Sequence, residues 1–469
     1  MSLIEFLDDP WTDAKWPCPA CGAVGAKVEL RSDGGLAGSG AYELAKCSSC
    51  GSWFFLGEDP VVGYTDEALH SDYWIHYVQS GAGINAMLVP LLALEERARG
   101  RFLDVGCGFG FVPDFWARSG RGEAVGLELA SYGKIGRRLL GADIRPAYLS
   151  DCEDFEEGEF DIVYSSEVIE HVRDPAGFLR ELARVLKADG ILVLTTPSAA
   201  CVSRDVDPPT LYAALSPGLH YFLLSKERLE GLLEEAGFHH HVVVDDGRTL
   251  MAWASREPIS PPDISRFDWD EYLGYLEKLA QSDNPHLRGG ALYRLFKDSL
   301  NTGRTHLASQ AFSQLETLAR DAYGIDLTFP DISGALRADD YIGRLERYPA
   351  WLAGTLFFGG IYAGNVLRDP SRKLRLLEAS THMLKNEMEV GLRFAQEAAA
   401  FLPAATFNYR MALAELLSVE IPRGLDIEVP DANARPTPDQ ISTFRERLGG
   451  LRETIDSFSA ETTGRANRG

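Results

Sequence analysis

The stretch Arg101 to Gly110, RFLDVGCGFG, admits few folds. Phe102 to Val105 reads as a short apolar strand that runs straight into three glycines at alternate positions, Gly106, Gly108 and Gly110. Such a strand must turn sharply and let a ligand approach its backbone, because glycine lacks a Cβ and tolerates positive φ. The FVPDFWARSG that follows has helical spacing, so its first turn would aim unpaired N–H groups over the loop. Further on, a second apolar strand, Ala124 to Leu127, ends in Glu128, where an acid can grip the two hydroxyls of a ribose. The dinucleotide fingerprint GxGxxG is not kept, and Asp104 stands just before the glycines. An acid there repels a pyrophosphate and suits the cationic amine of an amino-acid tail.

DVGCGFG followed by Glu128 resembles the first two motifs of class I S-adenosylmethionine-dependent methyltransferases. The resemblance continues through YLSDCED at Tyr148 to Asp154, through Phe160 to Ser198, and through HYFLLSKERLEGLLEEAGF at His220 to Phe238. It implies a cofactor site of Asp104, Gly106, Cys107, Gly108, Gly110, Glu128, Leu129, Asp151, Cys152 and Ser165, with Asp151 beside the adenine. Methyl transfer from a sulfonium needs in-line positioning and, for a hydroxyl nucleophile, a general base. His171 in SSEVIEHV and His220, after the Pro-rich loop DVDPPTLYAALSPGL, are the candidate bases, and Glu167 is a candidate hydrogen-bond partner of the acceptor. His239, His240 and His241 alternate faces on a strand and read as surface and edge residues.

Strands at 101–106, 124–128, 143–148, 160–165 and 190–196 alternate with helices near 110–119, 131–140, 174–187 and 225–236. That alternation implies an α/β, doubly wound parallel sheet, Rossmann-like, closed by two strands about a DDG turn. Ligands in such sheets bind beyond the carboxyl ends of the strands.

Ahead of it, PCPACG and KCSSCG place Cys18, Cys21, Cys47 and Cys50 in two knuckles, each followed by glycine. Four soft ligands at this spacing favour tetrahedral zinc, and four thiolates leave no open position, so the expected site is structural. A zinc ribbon before a methyltransferase domain resembles two groups: ribosomal RNA methyltransferases with a zinc module, and bacterial methyltransferases of sugar, polysaccharide and natural-product pathways. The second group has an aromatic and acidic stretch like YTDEALHSDYWIHYV here, whose Tyr73, Trp74 and Tyr77 would fold over cofactor or substrate.

The remaining expectations concern organisation. A zinc ribbon over 1–60, a helical cap over 61–99, the catalytic domain over 100–256, a Pro-rich linker over 257–268, an all-α domain over 269–453 and a polar, disordered tail over 454–469 divide the 469 residues. A net charge of −23 argues against a large nucleic-acid footprint. Seven cysteines, four of them in CxxC pairs, and an acidic start without an apolar core fit a cytoplasmic protein. Residues 348–367 carry no charge over the length of a membrane span, but Pro349, four glycines and Asn365 favour a buried helix packed through Gly360 and Gly364. The expected activity is transfer of a methyl group from S-adenosylmethionine to a sugar or other small polar acceptor, most naturally at oxygen, in a glycan pathway. The helical domain would serve oligomerisation or acceptor docking. The alternatives are an RNA methyltransferase and a cofactor-binding scaffold without turnover.

Overall fold

A computed structural model describes residues 4–13, 15–35, 38–61, 73–391 and 394–420. The start of the aromatic stretch, the helical pattern FRERLGGLRETI and the tail 454–469 lie outside them. The chain divides into two compact units, Met1–Ala414 and Glu415–Gly469, and the elements that build the site belong to the first.

Its N-terminal strands are β1 (Ile4–Thr12), β2 (Lys27–Gly35), β3 (Gly38–Lys46) and β4 (Trp53–Phe55), paired in order and antiparallel. The cysteine knuckles are the turns before β2 and between β3 and β4. Two helices follow, α1 (Tyr73–Gln79) and α2 (Ile84–Leu92). Then come β5 (Phe102–Val105), α3 (Phe111–Arg118), β6 (Ala124–Leu127), α4 (Ser131–Leu140), β7 (Ile144–Arg145), β8 (Phe160–Ser166), α5 (Pro175–Val185) and β9 (Leu186–Pro197). The order β7-β6-β5-β8-β9 is parallel and reverses direction between β5 and β8, which makes the mouth of that crevice the binding position of a doubly wound sheet.

The expected third strand over 143–148 is cut to two residues, because Pro146 cannot donate to the ladder. The Pro-rich loop before His220 is instead a helix, α6 (Pro208–Leu215): both prolines sit in its first turn, where no N–H is missed, and the Asp207 side chain caps it by accepting from Thr210 N. After it come β10 (Phe222–Leu223), α7 (Lys226–Glu235) and the hairpin β11 (His240–Asp245) and β12 (Thr249–Ser255). The hairpin pairs antiparallel to β9 about the DDG turn, completing seven strands. β10 pairs not with that sheet but with β4, as the fifth strand of the N-terminal one.

The C-terminal helices are α8 (Trp269–Leu279), α9 (Pro285–Asn301), α10 (Thr305–Tyr323), α11 (Ser333–Arg337), α12 (Trp351–Tyr362), α13 (Pro370–Val390) and α14 (Gln396–Glu420). The long helical pattern after Pro370 breaks at Gly391 into two helices. The uncharged segment becomes α12, buried against α9 and α13, with Gly360 allowing the approach of Leu377. No helix among the described residues is long and apolar enough to cross a membrane.

These helices bear directly on the sheet domain. Tyr275 Oη donates to Asp114 Oδ2 at 2.8 Å and to the Phe111 carbonyl at 3.1 Å, and Arg121 pairs with Glu271. The Gln79 carboxamide closes a buried network: its oxygen accepts from Ala350 N at 2.8 Å, and its nitrogen meets His286 Nδ1 at 2.8 Å and the Leu345 carbonyl at 3.2 Å. That network clamps α1 onto α9 and α12.

Candidate functional site at the mouth of the parallel sheet

The glycine loop follows from local sterics. Gly106 has φ 79°, and a Cβ there would drive into Val168. Gly110, with φ 91°, begins α3, and its Cβ would meet Ile144. Only glycine satisfies both the left-handed backbone and the close approach. Above Gly108 the space is shared by Tyr132 and the Tyr77 hydroxyl, which would lie 3.5 and 3.6 Å from a Cβ. Of the three aromatics in the aromatic stretch, Tyr77 therefore roofs the loop, and Trp74 stacks on Phe109 at 6.4 Å between centroids.

Glu128, at the end of β6, accepts from Gly108 N at 3.0 Å and from Ala130 N at 2.8 Å. Its carboxylate thus ties the glycine loop to the start of α4. Burial raises its pKa while the backbone donors of Ala130, Gly108 and Leu129 lower it. Asp104 is buried, and burial, followed by the charge of Glu128, pushes its carboxyl well above the usual range. Two carboxyls held out of water disfavour each other's ionisation. Leu129 stays 42% exposed and Tyr148 64% exposed at the ends of β6 and β7, leaving apolar surface of the kind a flat base would cover. Asp151 stands exposed on the short turn Leu149–Asp151.

Three further residues expected at the cofactor make these contacts within the fold. The Ser165 hydroxyl donates to the Val105 carbonyl at 3.2 Å and so ties β8 to β5. Cys152 is buried with its thiol on the Tyr148 carbonyl at 3.4 Å. Cys107 packs its sulfur against Gly126, and burial pushes its thiol well up. It offers the site its backbone, not a nucleophile.

Beyond β8 lies the second half of the site. Glu167 adopts φ 56°, uncommon for a residue with a side chain, held there by Glu167 N on the Thr195 carbonyl at 2.9 Å and by Thr195 Oγ1 donating to Glu167 Oε1 at 3.2 Å. The strained turn brings Val168 against Gly106 and lays out Glu170 and His171. His220 arrives from the far end of α6, and the two imidazole centroids lie 4.5 Å apart, edge to face. His171 Nδ1 donates to the Leu219 carbonyl at 2.8 Å, which fixes its tautomer with the lone pair on Nε2. That Nε2 lies 3.7 Å from Glu170 Oε1, and His220 Nε2 lies 4.0 Å from the same oxygen.

Glu170 Oε2 accepts from Thr196 Oγ1 at 2.9 Å, but Oε1 has no hydrogen-bond partner among the described residues. Burial lowers the pKa of His171 to about 4 and that of His220 well below its ordinary value, with His171 adding to the latter. Burial also raises Glu167 to about 7 and Glu170 well above its ordinary value. Burial thus favours the neutral form of both imidazoles. The sequence pattern pointed to His171, His220 and Glu167; it missed Glu170, Thr195 and Thr196, for which the three-residue spacing from Glu167 to Glu170 was the available signal.

At the other end of the protein, Cys18 Sγ lies 3.8 Å from Cys50 Sγ and Cys21 Sγ 3.6 Å from Cys47 Sγ, all four within 4.8 Å. A tetrahedral metal at about 2.3 Å from each thiolate spaces the sulfurs by about 3.8 Å, so the set fits that geometry. The knuckles are built alike: Gly22 N donates to the Cys18 carbonyl at 2.7 Å and Gly51 N to the Cys47 carbonyl at 2.9 Å, both glycines at φ 75°.

A family model described as a methyltransferase domain matches residues 75–241. A protein of Mycolicibacterium smegmatis described as a probable S-adenosylmethionine-dependent methyltransferase is 34% identical over 185 residues, 39% of this chain and 64% of that protein. A ubiquinone biosynthesis O-methyltransferase of Xanthomonas oryzae is 30% identical over 176 residues, 36% of this chain and 66% of its own length. The chain thus spans just under two thirds of these relatives. Among solved structures, a SAM-dependent methyltransferase of Thermotoga maritima aligns at 18% identity and a TM-score of 0.33, covering 41% of this chain and 98% of that one.

Proposed function

We propose that residues 75–241, which match a family model described as a methyltransferase domain, form a class I S-adenosylmethionine-dependent methyltransferase domain, and that the protein moves the methyl group of S-adenosylmethionine to a hydroxyl oxygen of a small polar acceptor, with sugars as the class to test first. The observation that carries this reading is the pair of imidazoles, His171 and His220, packed edge to face 4.5 Å apart after the turn whose Val168 meets Gly106 of the glycine loop. Asp104 is suited to the cationic amine of the cofactor, Glu128 to its ribose, and the exposed faces of Leu129 and Tyr148, with Asp151 nearby, to its adenine. A hydroxyl nucleophile must lose its proton as the carbon–oxygen bond forms, and a neutral imidazole can receive it. Oxygen as the target agrees with the relative described as an O-methyltransferase. In the ribbon, Cys18, Cys21, Cys47 and Cys50 would hold a structural zinc ion.

A second reading of the acceptor side rests on the orphaned Glu170 Oε1. With a pKa near 4, His171 is a weak base. Glu170, His171 and His220 place one donor atom each within 4.8 Å, and a carboxylate with two imidazoles suits a divalent cation. Such an ion, when bound, supplies Lewis acidity that makes an acceptor hydroxyl easier to deprotonate. Paramagnetic titration with manganese separates the readings: binding that is lost in Glu170→Gln favours the cation seat, and its absence leaves the imidazoles as bases.

Calorimetry of S-adenosylmethionine on the wild type and on Glu128→Ala tests the cofactor site. Turnover on a panel of nucleotide sugars and free glycans, with and without His220→Ala, tests the acceptor side. Absence of cofactor binding by the wild type would overturn the whole reading, and product formation indifferent to both histidines would overturn the acceptor half.

A further inference from the structure

The ribbon and the acceptor half are one hydrogen-bonded structure. Antiparallel pairing of β4 with β10 sets Phe54 opposite Phe222 and Trp53 opposite Leu223, and Phe55 N donates to the Tyr221 carbonyl at 3.1 Å. Tyr221 N in turn donates to the Glu170 carbonyl at 2.8 Å, and the Leu219 carbonyl holds the His171 ring. His220 therefore sits inside a segment whose two flanks are fixed to the ribbon on one side and to Glu170 and His171 on the other.

The same segment continues into the cysteine knuckles. Ser225 Oγ donates to the Cys50 carbonyl at 2.5 Å, Ser225 N donates to Ser52 Oγ at 3.1 Å, and the serine also caps α7 by accepting from Arg228 N. Arg228 Nε donates to the Ala20 carbonyl at 2.7 Å, inside the other knuckle. Both knuckles are thus gripped by two residues that lie five and eight positions beyond His220. A third tie runs along the edge: Arg173 Nη2 donates to the Glu58 carbonyl at 2.9 Å, and Tyr221 Oη donates to Asp59 Oδ1 at 3.1 Å. No comparable bond links the ribbon to Asp104, the glycine loop or Glu128 among the described residues.

We propose that the four-cysteine seat positions the acceptor-side histidine, with Ser225 and Arg228 as the positioning residues that carry the geometry of the knuckles to His220 and Glu170. The chemistry of the seat is that of a thiolate-bound divalent ion such as zinc. Bound, it fixes the two knuckle turns relative to one another, and with them the Ala20 and Cys50 carbonyls that hold Arg228 and Ser225. Without it, β10 loses its anchor at one end while the cofactor loop keeps every contact it has. The role assigned to His220 rests on the methyltransferase reading above; the mechanical link does not.

The test uses the full chain in two variants and two readouts that do not need the acceptor. Cys21→Ser removes one ligand of the seat, with metal content followed by elemental analysis. Ser225→Ala keeps all four thiols and breaks the link. Hydrogen exchange should speed by about tenfold or more over residues 219–224 in both variants, and the imidazole NMR signals of His171 and His220 should shift. The affinity for S-adenosylmethionine should stay within about twofold, since the contacts among Gly108, Glu128 and Ala130 do not pass through Ser225. Exchange confined to residues 18–52, with both imidazole signals unmoved in Ser225→Ala, would overturn the proposal. If Cys21→Ser unfolds the whole chain, Ser225→Ala with its metal intact decides the matter. A wild type that binds no S-adenosylmethionine would sink the methyltransferase reading and leave the exchange result to stand or fall by itself.

Discussion

The two halves of the site are made differently. The cofactor half runs from Phe102 to Asp151 in one unbroken stretch, and its key contacts, Gly108 N to Glu128 and Ala130 N to Glu128, join residues within that stretch. The acceptor half is collected from afar: Glu167 to His171 after β8, Thr195 and Thr196 at the end of β9, His220 beyond α6, and the ribbon that holds β10. The first half is held by contacts between near neighbours in the chain and is therefore tolerant of change elsewhere. The second depends on buried polar side chains, where one lost partner leaves another unsatisfied. Chemistry at one end and recognition at the other can vary separately in such a molecule.

The sharpest way to break this contrast is to remove the imidazoles. His220→Ala together with His171→Ala should lower kcat by about 10²–10⁴-fold if they take the proton, with cofactor affinity by calorimetry unchanged. Loss of cofactor binding in that variant would mean the halves are not separate.

Titration offers the next largest effect. His171 is lowered from 6.5 to about 4, so it contributes stability above pH 6.5 that is lost as the pH falls toward 4. Glu167 is raised from 4.5 to about 7, so its contribution is full below pH 4.5 and is lost as the pH rises through 7. Between pH 4.5 and 6.5 these two slopes oppose each other. Glu167→Gln removes one slope and should unmask an acid-side loss of up to roughly 3 kcal/mol. An unchanged pH profile in that variant would show that the Glu167 carboxyl is not raised in the folded protein.

Glu128→Ala should weaken S-adenosylmethionine binding by about 1.5–3 kcal/mol, the range for a charge-assisted hydrogen bond, while leaving the imidazole signals of the acceptor half in place. The smallest effect expected is that of Tyr275→Phe. It strips one hydrogen bond from the buried Asp114 behind the glycine loop and should lower the unfolding free energy by about 1–2 kcal/mol with little change in cofactor affinity.

The same division explains what the sequence revealed. The glycine loop, Asp104 and Glu128 are local in the chain, so periodicity and spacing were enough to find them and to place β5, β6 and the closing hairpin. The Pro-rich run before His220 misled because prolines at Pro208 and Pro209 read as a loop until an Asp207 cap and a first helical turn accommodate them. Glu170 was passed over because its partners, Thr196 and His220, lie 26 and 50 residues away in sequence, and no local pattern marks a carboxylate whose companions come from other strands. The sharing of β10 with the ribbon has the same cause: a two-residue strand carries no periodic signal, and only its pairing with β4 defines it.

That shared strand also orders events during synthesis. β1 to β4 leave the ribosome well before β10, and their sheet gains its fifth strand only when Phe222 and Leu223 appear, long after the knuckles have been made. Likewise α1 is made well before its Gln79 partners, His286, Leu345 and Ala350, the nearest of which lies 207 residues further along the chain. Contacts of such sequence separation form slowly because a long loop must close before they repay its entropy. Strands and helices made ahead of the parallel sheet are therefore among the last to be secured.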